Sequence, residues 1–304
     1  VTLFYSCVFL GLACWIVPRS WQDVPVGKTS RRIRRRRIWI DPEQRAHLLA
    51  LNPFLWRASR PGFKRLSVWL LIGTLAVLWG LTRWVSGIRN GDGFDIGVDL
   101  SFLVWTGLMI KAWVASEAGR ALGDDRRSGA LELVLTAGLG PAQIVHGQLT
   151  SIGRQFSLPI AALLLLNVFF LMMELNPHHV LWNGDTRMLV YSHLAVGIFL
   201  VADCYVLSWL GTWFGFKARK ANRSAMPALF CVIGIPVGLF LMSLSLFADS
   251  SGMGEKGVIF LWCLSGAAID GCFWALATSR LENDFSKIAS EGSLNVRPVP
   301  GKAA

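Results

Sequence analysis

Charged side chains are scarce in this chain. Asp, Glu, Lys and Arg make up 16% of its 304 residues, where a soluble domain carries about 25%. Several chemical frameworks are missing as well. The six cysteines (Cys7, Cys14, Cys204, Cys231, Cys263 and Cys272) all lie within apolar runs and none forms C-x-x-C, so neither a disulfide framework nor a thiolate metal site is expected. There is no H-E-x-x-H. The adjacent pair His178 and His179 has Glu174 and Asp185 nearby at no zinc-ligand spacing. Gly27-Lys28-Thr29 has the form of the tail of a phosphate-binding loop, but Gln22 stands where the first glycine belongs and an apolar run precedes it in place of a strand. The chain thus shows no ATP site of its own. No single segment holds a nucleophile beside a base.

What the chain has is long apolar runs. A helix needs roughly 20 mostly apolar residues to cross the hydrocarbon core. Runs of that kind occupy 66–85, 97–116, 156–175, 189–216, 225–247 and 257–279. A shorter run, 1–17, lacks the basic flank and A-x-A site of a signal peptide. It reads as the end of a transmembrane helix, with the chain as the C-terminal part of a longer protein. The net charge of +11 does not lie along one soluble face, so no nucleic-acid partner is expected. It falls between the runs, in 18–65, 117–155, 217–224 and 280–304. The positive-inside rule places those segments in the cytoplasm. Arg89, Arg187 and Lys256 are left outside, with Arg83 close to that side. The expected fold is all-α, a polytopic transmembrane helix bundle. Four parts are expected: 1–17 as the end of a preceding helix, 18–65 as a basic linker, 66–279 as a six-span domain and 280–304 as a cytoplasmic tail.

The linker itself divides. Six arginines between Arg31 and Arg37 repel one another and suit a strap along an anionic leaflet, so membrane lipids are expected partners. Asp41-Pro42-Glu43 is a helix start, a capping Asp followed by Pro at the first helical position. The apolar residues Leu48, Leu49, Leu51, Phe54, Leu55 and Trp56, set among basic ones, fit an interfacial helix.

The longest polar stretch between two spans is 117–155. Ser128 is suited to cap a helix through Leu135, Gly138 to end it, and Gly140-Pro141 to begin the next. Two short amphipathic helices with a tight turn would form a cytoplasmic knob that a soluble partner could grip. Glu117, at the junction of span and loop, would anchor it, and Gly129 and Gly147 would allow close helix approach.

These residues carry a resemblance. A Glu, then Asp125-Arg126-Arg127-Ser128-Gly129, then Leu131-Glu132-Leu133, then a turn and Ile144-Val145-His146-Gly147-Gln148, is similar to the first cytoplasmic loop of ABC-2 type transporter permeases. Asn52-Pro53-Phe54-Leu55-Trp56 resembles the linker between the halves of long bacterial members. Where the family carries a proline in the loop turn, this chain has Gly138. The resemblance implies a six-span ABC-2 unit with 1–17 as the last span of the other permease half, in the plasma membrane of a bacterium. It implies a separate ABC ATPase subunit that holds ATP and magnesium, while this chain binds no cofactor. It also implies export as the commoner direction. Glu117, Arg126, Ser128, Gly129, Leu131, Glu132, Leu133 and Leu135 would then lie in or beside the coupling element, and Ile144, Gly147 and Gln148 in the return helix.

Two carboxylates interrupt the apolar runs. Asp203 and Asp270 lie mid-run, where a charge costs several kcal/mol unless paired or hydrated. Both a role in the transport route and a packing contact to a polar or basic side chain fit that placement. Asp99 and Glu174 lie near span ends, where water reaches. Two other functions remain open on sequence. A lipid-modifying membrane enzyme would need Asp203, Asp270 and His193 to converge. A membrane anchor for a soluble complex would need no intramembrane acids.

Overall fold

A computed structural model describes residues 64–90, 96–131, 134, 139–175, 184–218, 224–247 and 255–294. Within these residues the chain is helical and holds no strand. In order the helices are α1 (Lys64–Asn90), α2 (Ile96–Arg127), α3 (Pro141–Glu174), α4 (Gly184–Lys217), α5 (Ala225–Leu229), α6 (Ile235–Phe247) and α7 (Glu255–Leu294). A single wide turn, Phe230–Gly234, joins α5 to α6 in one continuous span. Six spans are long and apolar enough to cross a membrane, as expected of a multi-pass membrane protein. The expected linker as far as residue 63, the run 1–17 and the histidine pair lie outside the described residues, and residues 64 and 65 of the linker begin α1.

The helices are longer than their apolar runs. At 1.5 Å per residue the 32 residues of α2 extend about 48 Å and the 40 of α7 about 60 Å. A hydrocarbon core is about 30 Å thick. Each helix therefore carries its hydrogen-bond ladder well past the apolar region. Breaking that ladder inside lipid would strand backbone groups, and nothing in the flanking polar sequence forces a stop.

α2 and α4 form the centre of the bundle and share its largest interface, and α7, α3 and α5 pack around them. Small residues allow this. A Cβ on Gly215 would lie 2.1 Å from the Gly119 carbonyl oxygen, and one on Gly211 would lie 2.9 Å from the Ala118 Cβ. The Gly211-x-x-x-Gly215 ridge of α4 thus sits directly on Ala115, Ala118 and Gly119 of α2. Between helices in lipid, where burial offers no hydrophobic gain, such close backbone approach supplies the van der Waals attraction.

α1 meets chiefly α2 and α3 and leaves Leu70, Val77, Leu81 and Trp84 exposed. Its attachment is aromatic and ionic. Trp79 packs 5.1 Å from Phe170 and 5.9 Å from Phe102, centroid to centroid. The Trp79 Nε1–H donates to Asp99 Oδ1 at 2.9 Å, and Arg83 pairs with Asp99 Oδ2 at 2.5 Å. Asp99, expected near water, is instead buried in the first turn of α2, because α1 brings it both a cation and an indole donor.

The wide turn has a local cause. Pro236 has no N–H for residue 232 and its ring crowds that carbonyl. The helix widens ahead of it, and the Ile235 N–H reaches back to the Phe230 carbonyl, a five-residue step typical of a π-bulge.

Candidate functional site

An intramembrane cavity of about 310 Å³ lies between α2, α3, α4, α6 and α7. Its walls are mostly apolar. Pro236 and Val237, just past the wide turn, line the cavity together with Trp105 and Leu108 of α2 and Trp262 and Gly266 of α7. The wide turn thus shapes the cavity wall, and Val232 and Ile233 within it also face the space.

Charge enters at one end. Lys111 Nζ of α2 lies 2.6 Å from Asp203 Oδ2 of α4, and both line the cavity. Asp270 of α7 stands within electrostatic reach of both. It is 6% exposed. Both of its carboxyl oxygens are buried, and its side chain lies within hydrogen-bonding reach of the Asp203 carboxyl group. The three residues come from three different helices, so the cluster ties α2, α4 and α7 together at mid-span.

At the opposite end Asn167 of α3 lines the cavity and clamps His193 of α4. The Asn167 Nδ2–H donates to the His193 carbonyl at 2.9 Å, and Asn167 Oδ1 lies 2.6 Å from His193 Nδ1. The first bond fixes which amide atom is oxygen. That oxygen can only accept, so Nδ1 carries the proton and donates. Gly197 lets the two helices meet here, since a Cβ there would lie 3.1 Å from Asn167 Nδ2. His193, isolated in the sequence, is thus an interhelical strut. Ten residues, about 15 Å of helix, separate it from Asp203.

The loop residues fall differently from the sequence expectation. Glu117 does not mark the junction of span and loop: it is buried inside α2, which runs on without a break to Arg127. The Ser128 Oγ–H donates back to the Asp125 carbonyl at 3.2 Å, and helical residues follow it at 130, 131 and 134. Gly129 has φ +71°, and a Cβ there would have nothing within 4 Å. Its role is to end α2 in the left-handed conformation that glycine tolerates, not to allow close approach. The second helix of the expected knob is not a separate short helix but the start of α3. Gly140 and Pro141 begin it as expected, and the Gly140 N–H donates to Gln143 Oε1 at 3.3 Å. Leu131, Ile144 and Gln148 are buried, as is Gly147. Glu132, Leu133 and Leu135 lie outside the residues whose side chains are described.

Arg126 has a specific partner. Its guanidinium donates to the Phe216 carbonyl at 2.5 Å and its Cζ lies 5.6 Å from the Phe216 ring centre. It therefore fastens the cytoplasmic end of α2 to that of α4. Its side chain also satisfies one of the open carbonyls at the α4 C-terminus, where a cation is favoured by the helix dipole.

Sequence reasoning missed Lys111 and Asn167. For Lys111 the available signal was indirect: two mid-membrane carboxylates call for a cation, and Lys111 and Arg83 are the basic residues inside the apolar runs. The Gly211-x-x-x-Gly215 spacing was a direct signal for the α2–α4 contact. Comparison of the chain with family models, curated proteins and solved structures gave no match.

Proposed function

We propose that this chain is the membrane-spanning permease of an ATP-driven transporter of the ABC-2 type. It exports its cargo across a bacterial plasma membrane, and a separate ABC ATPase subunit supplies the energy. The observation that carries the reading is continuity. α2 and α4 run uninterrupted from the cytoplasmic loops to the cavity, and Arg126 fastens their cytoplasmic ends. A push at the loop between Gly129 and Pro141 is therefore delivered, through rigid helices, to Lys111 and Asp203. The loop resemblance supplies the partner; the helices supply the lever.

Two features favour transport over the other readings. His193 is engaged by Asn167 and stays away from the carboxylates, so the convergence that a lipid-modifying enzyme needs is missing. A plain anchor gains nothing from a cavity with buried carboxylates, which cost stability. In the transport cycle the ATPase binds one arrangement of the permease more tightly when it holds ATP. Only that difference in affinity can shift the bundle between inward and outward arrangements.

The test is association. The purified chain should retain an ABC ATPase co-expressed with it from its own genome, and Leu133→Asp in the loop should release that ATPase while the permease stays folded in the membrane. Equal retention by both forms, or none by the native chain, would sink the reading.

A further inference from the structure

The charges beside the cavity balance. Lys111 is paired with Asp203, and the Asp270 side chain lies within hydrogen-bonding reach of Asp203. Two carboxyl groups can hydrogen-bond to each other only if one keeps its proton. The three residues therefore carry one positive and one negative charge. Among the described residues that line the cavity, Lys111 and Asp203 are the charged ones. A ligand with a net charge would upset this balance in a medium of low dielectric, where an uncompensated charge is costly. A neutral ligand would not.

A balanced charge still leaves donors open. An ammonium has three N–H donors. Asp203 Oδ2 takes one at 2.6 Å, and among the described residues no other acceptor is bonded to Lys111. Its side chain keeps 17% of its surface exposed, and it lines the cavity. Asn167, the polar residue at the other end, is already engaged with His193. The cavity thus offers free donors at one end and mostly apolar walls elsewhere.

Its mouth is lateral. α5 packs on α2, whereas α6, past the wide turn, packs on α7. The α2 and α6 lips of the gap are Trp105 and Val237, which line the cavity yet are 61% and 43% exposed. Both lie in apolar stretches of spans, so the gap faces lipid.

We propose that this cavity binds a neutral amphiphile whose head is an uncharged oxygen acceptor, such as a carbonyl, an ester or a hydroxyl. The head accepts from the Lys111 Nζ–H, and the apolar body lies toward the gap between α2 and α6. At about 310 Å³ the space is at the small end of ligand pockets, about 300–1,000 Å³. It holds the head and the adjoining part of the body, and a longer tail stays in the bilayer. Entry is from the lipid, where such molecules concentrate. This deepens the transport reading, and rests on it for calling the ligand cargo; binding itself needs no ATPase.

Four probes share a three-ring body: triphenylphosphine oxide, neutral with an oxygen acceptor; triphenylmethane, neutral without one; methyltriphenylphosphonium, a cation; and methyltriphenylborate, an anion. The full chain is placed in lipid nanodiscs without an ATPase. Labelled probe is measured by equilibrium dialysis against empty nanodiscs of the same lipid. The native chain should bind the phosphine oxide saturably, one per chain. It should bind triphenylmethane and both ions about tenfold more weakly or worse, as expected for loss of a hydrogen bond to a charged group or gain of an uncompensated charge. Lys111→Met combined with Asp203→Leu removes the donor and keeps the balance, so the oxide should lose its advantage over triphenylmethane. Val237→Trp, at an exposed position in the mouth, should abolish saturable binding. No saturable oxide binding, an oxide bound no better than triphenylmethane, either ion bound as tightly as the oxide, or an advantage of the oxide that survives in the double variant would overturn the proposal. Saturable oxide binding by a chain that retains no ATPase would keep this site and remove the transport reading. The reverse pattern would remove this site alone.

Discussion

Lys111, Asp203 and Asp270 differ in what their removal should do, although they sit together. Lys111→Met leaves Asp203 without its partner, and breaking a buried pair in this way costs about 3–5 kcal/mol. Lys111→Met combined with Asp203→Leu removes both charges and should recover much of that loss. Asp270→Asn relieves the crowding of two buried carboxyl groups, so stability should stay level or rise. Reversible unfolding in mixed micelles would rank the four proteins; a Lys111→Met form as stable as the native chain would contradict the pairing. Asn167 and His193 call for a second measurement. Their reciprocal bonds predict a coupling of about 0.6–1.7 kcal/mol, the range for interhelical hydrogen bonds in membranes, in a double-mutant cycle built from Asn167→Leu and His193→Ala. A coupling near zero would mean that the strut contributes nothing beyond packing.

Between elements, the α2–α4 contact is decisive because both helices serve the loop and the cavity. Gly215→Leu would force the helices apart at Gly119, where even a Cβ has no room. Overpacking of this kind costs about 1–3 kcal/mol or more. Gly153→Leu in α3, where a Cβ would meet nothing within 4 Å, is the matched control and should stay within about 0.5 kcal/mol of native. Equal melting temperatures for the two variants would contradict the close crossing. Arg126→Ala should act on coupling more than on stability. It frees the α2 end from the Phe216 carbonyl, so ATPase association should persist while stimulation of ATP hydrolysis falls. Unchanged stimulation would show that the fastening is incidental.

Across the whole molecule, the apolar runs announced the spans because lipid admits few alternatives to a continuous helix. They did not announce the helix ends. α2 and α3 extend through segments that read as loop, since polar sequence outside the membrane is as compatible with helix as with turn. Gly129 illustrates the limit: its identity pointed to a special backbone position, but only the fold distinguishes a helix end from a close crossing. The cavity was half legible. Asp203 and Asp270 stand out against apolar neighbours by themselves. Lys111 does not, because it lies five residues before Ser116, near enough to the run's end for a long basic side chain to snorkel to the interface. Its inward turn depends on Asp203, more than 90 residues away.

In the proposed transport cycle, energy enters this bundle from another chain, through the loop that follows α2. Hydrolysis by the co-purifying ATPase tests that directly, measured alone, with the native chain in nanodiscs, and with the Leu133→Asp chain. Hydrolysis should be faster with the native chain and unstimulated by the Leu133→Asp chain. Hydrolysis at one rate in all three samples would contradict it.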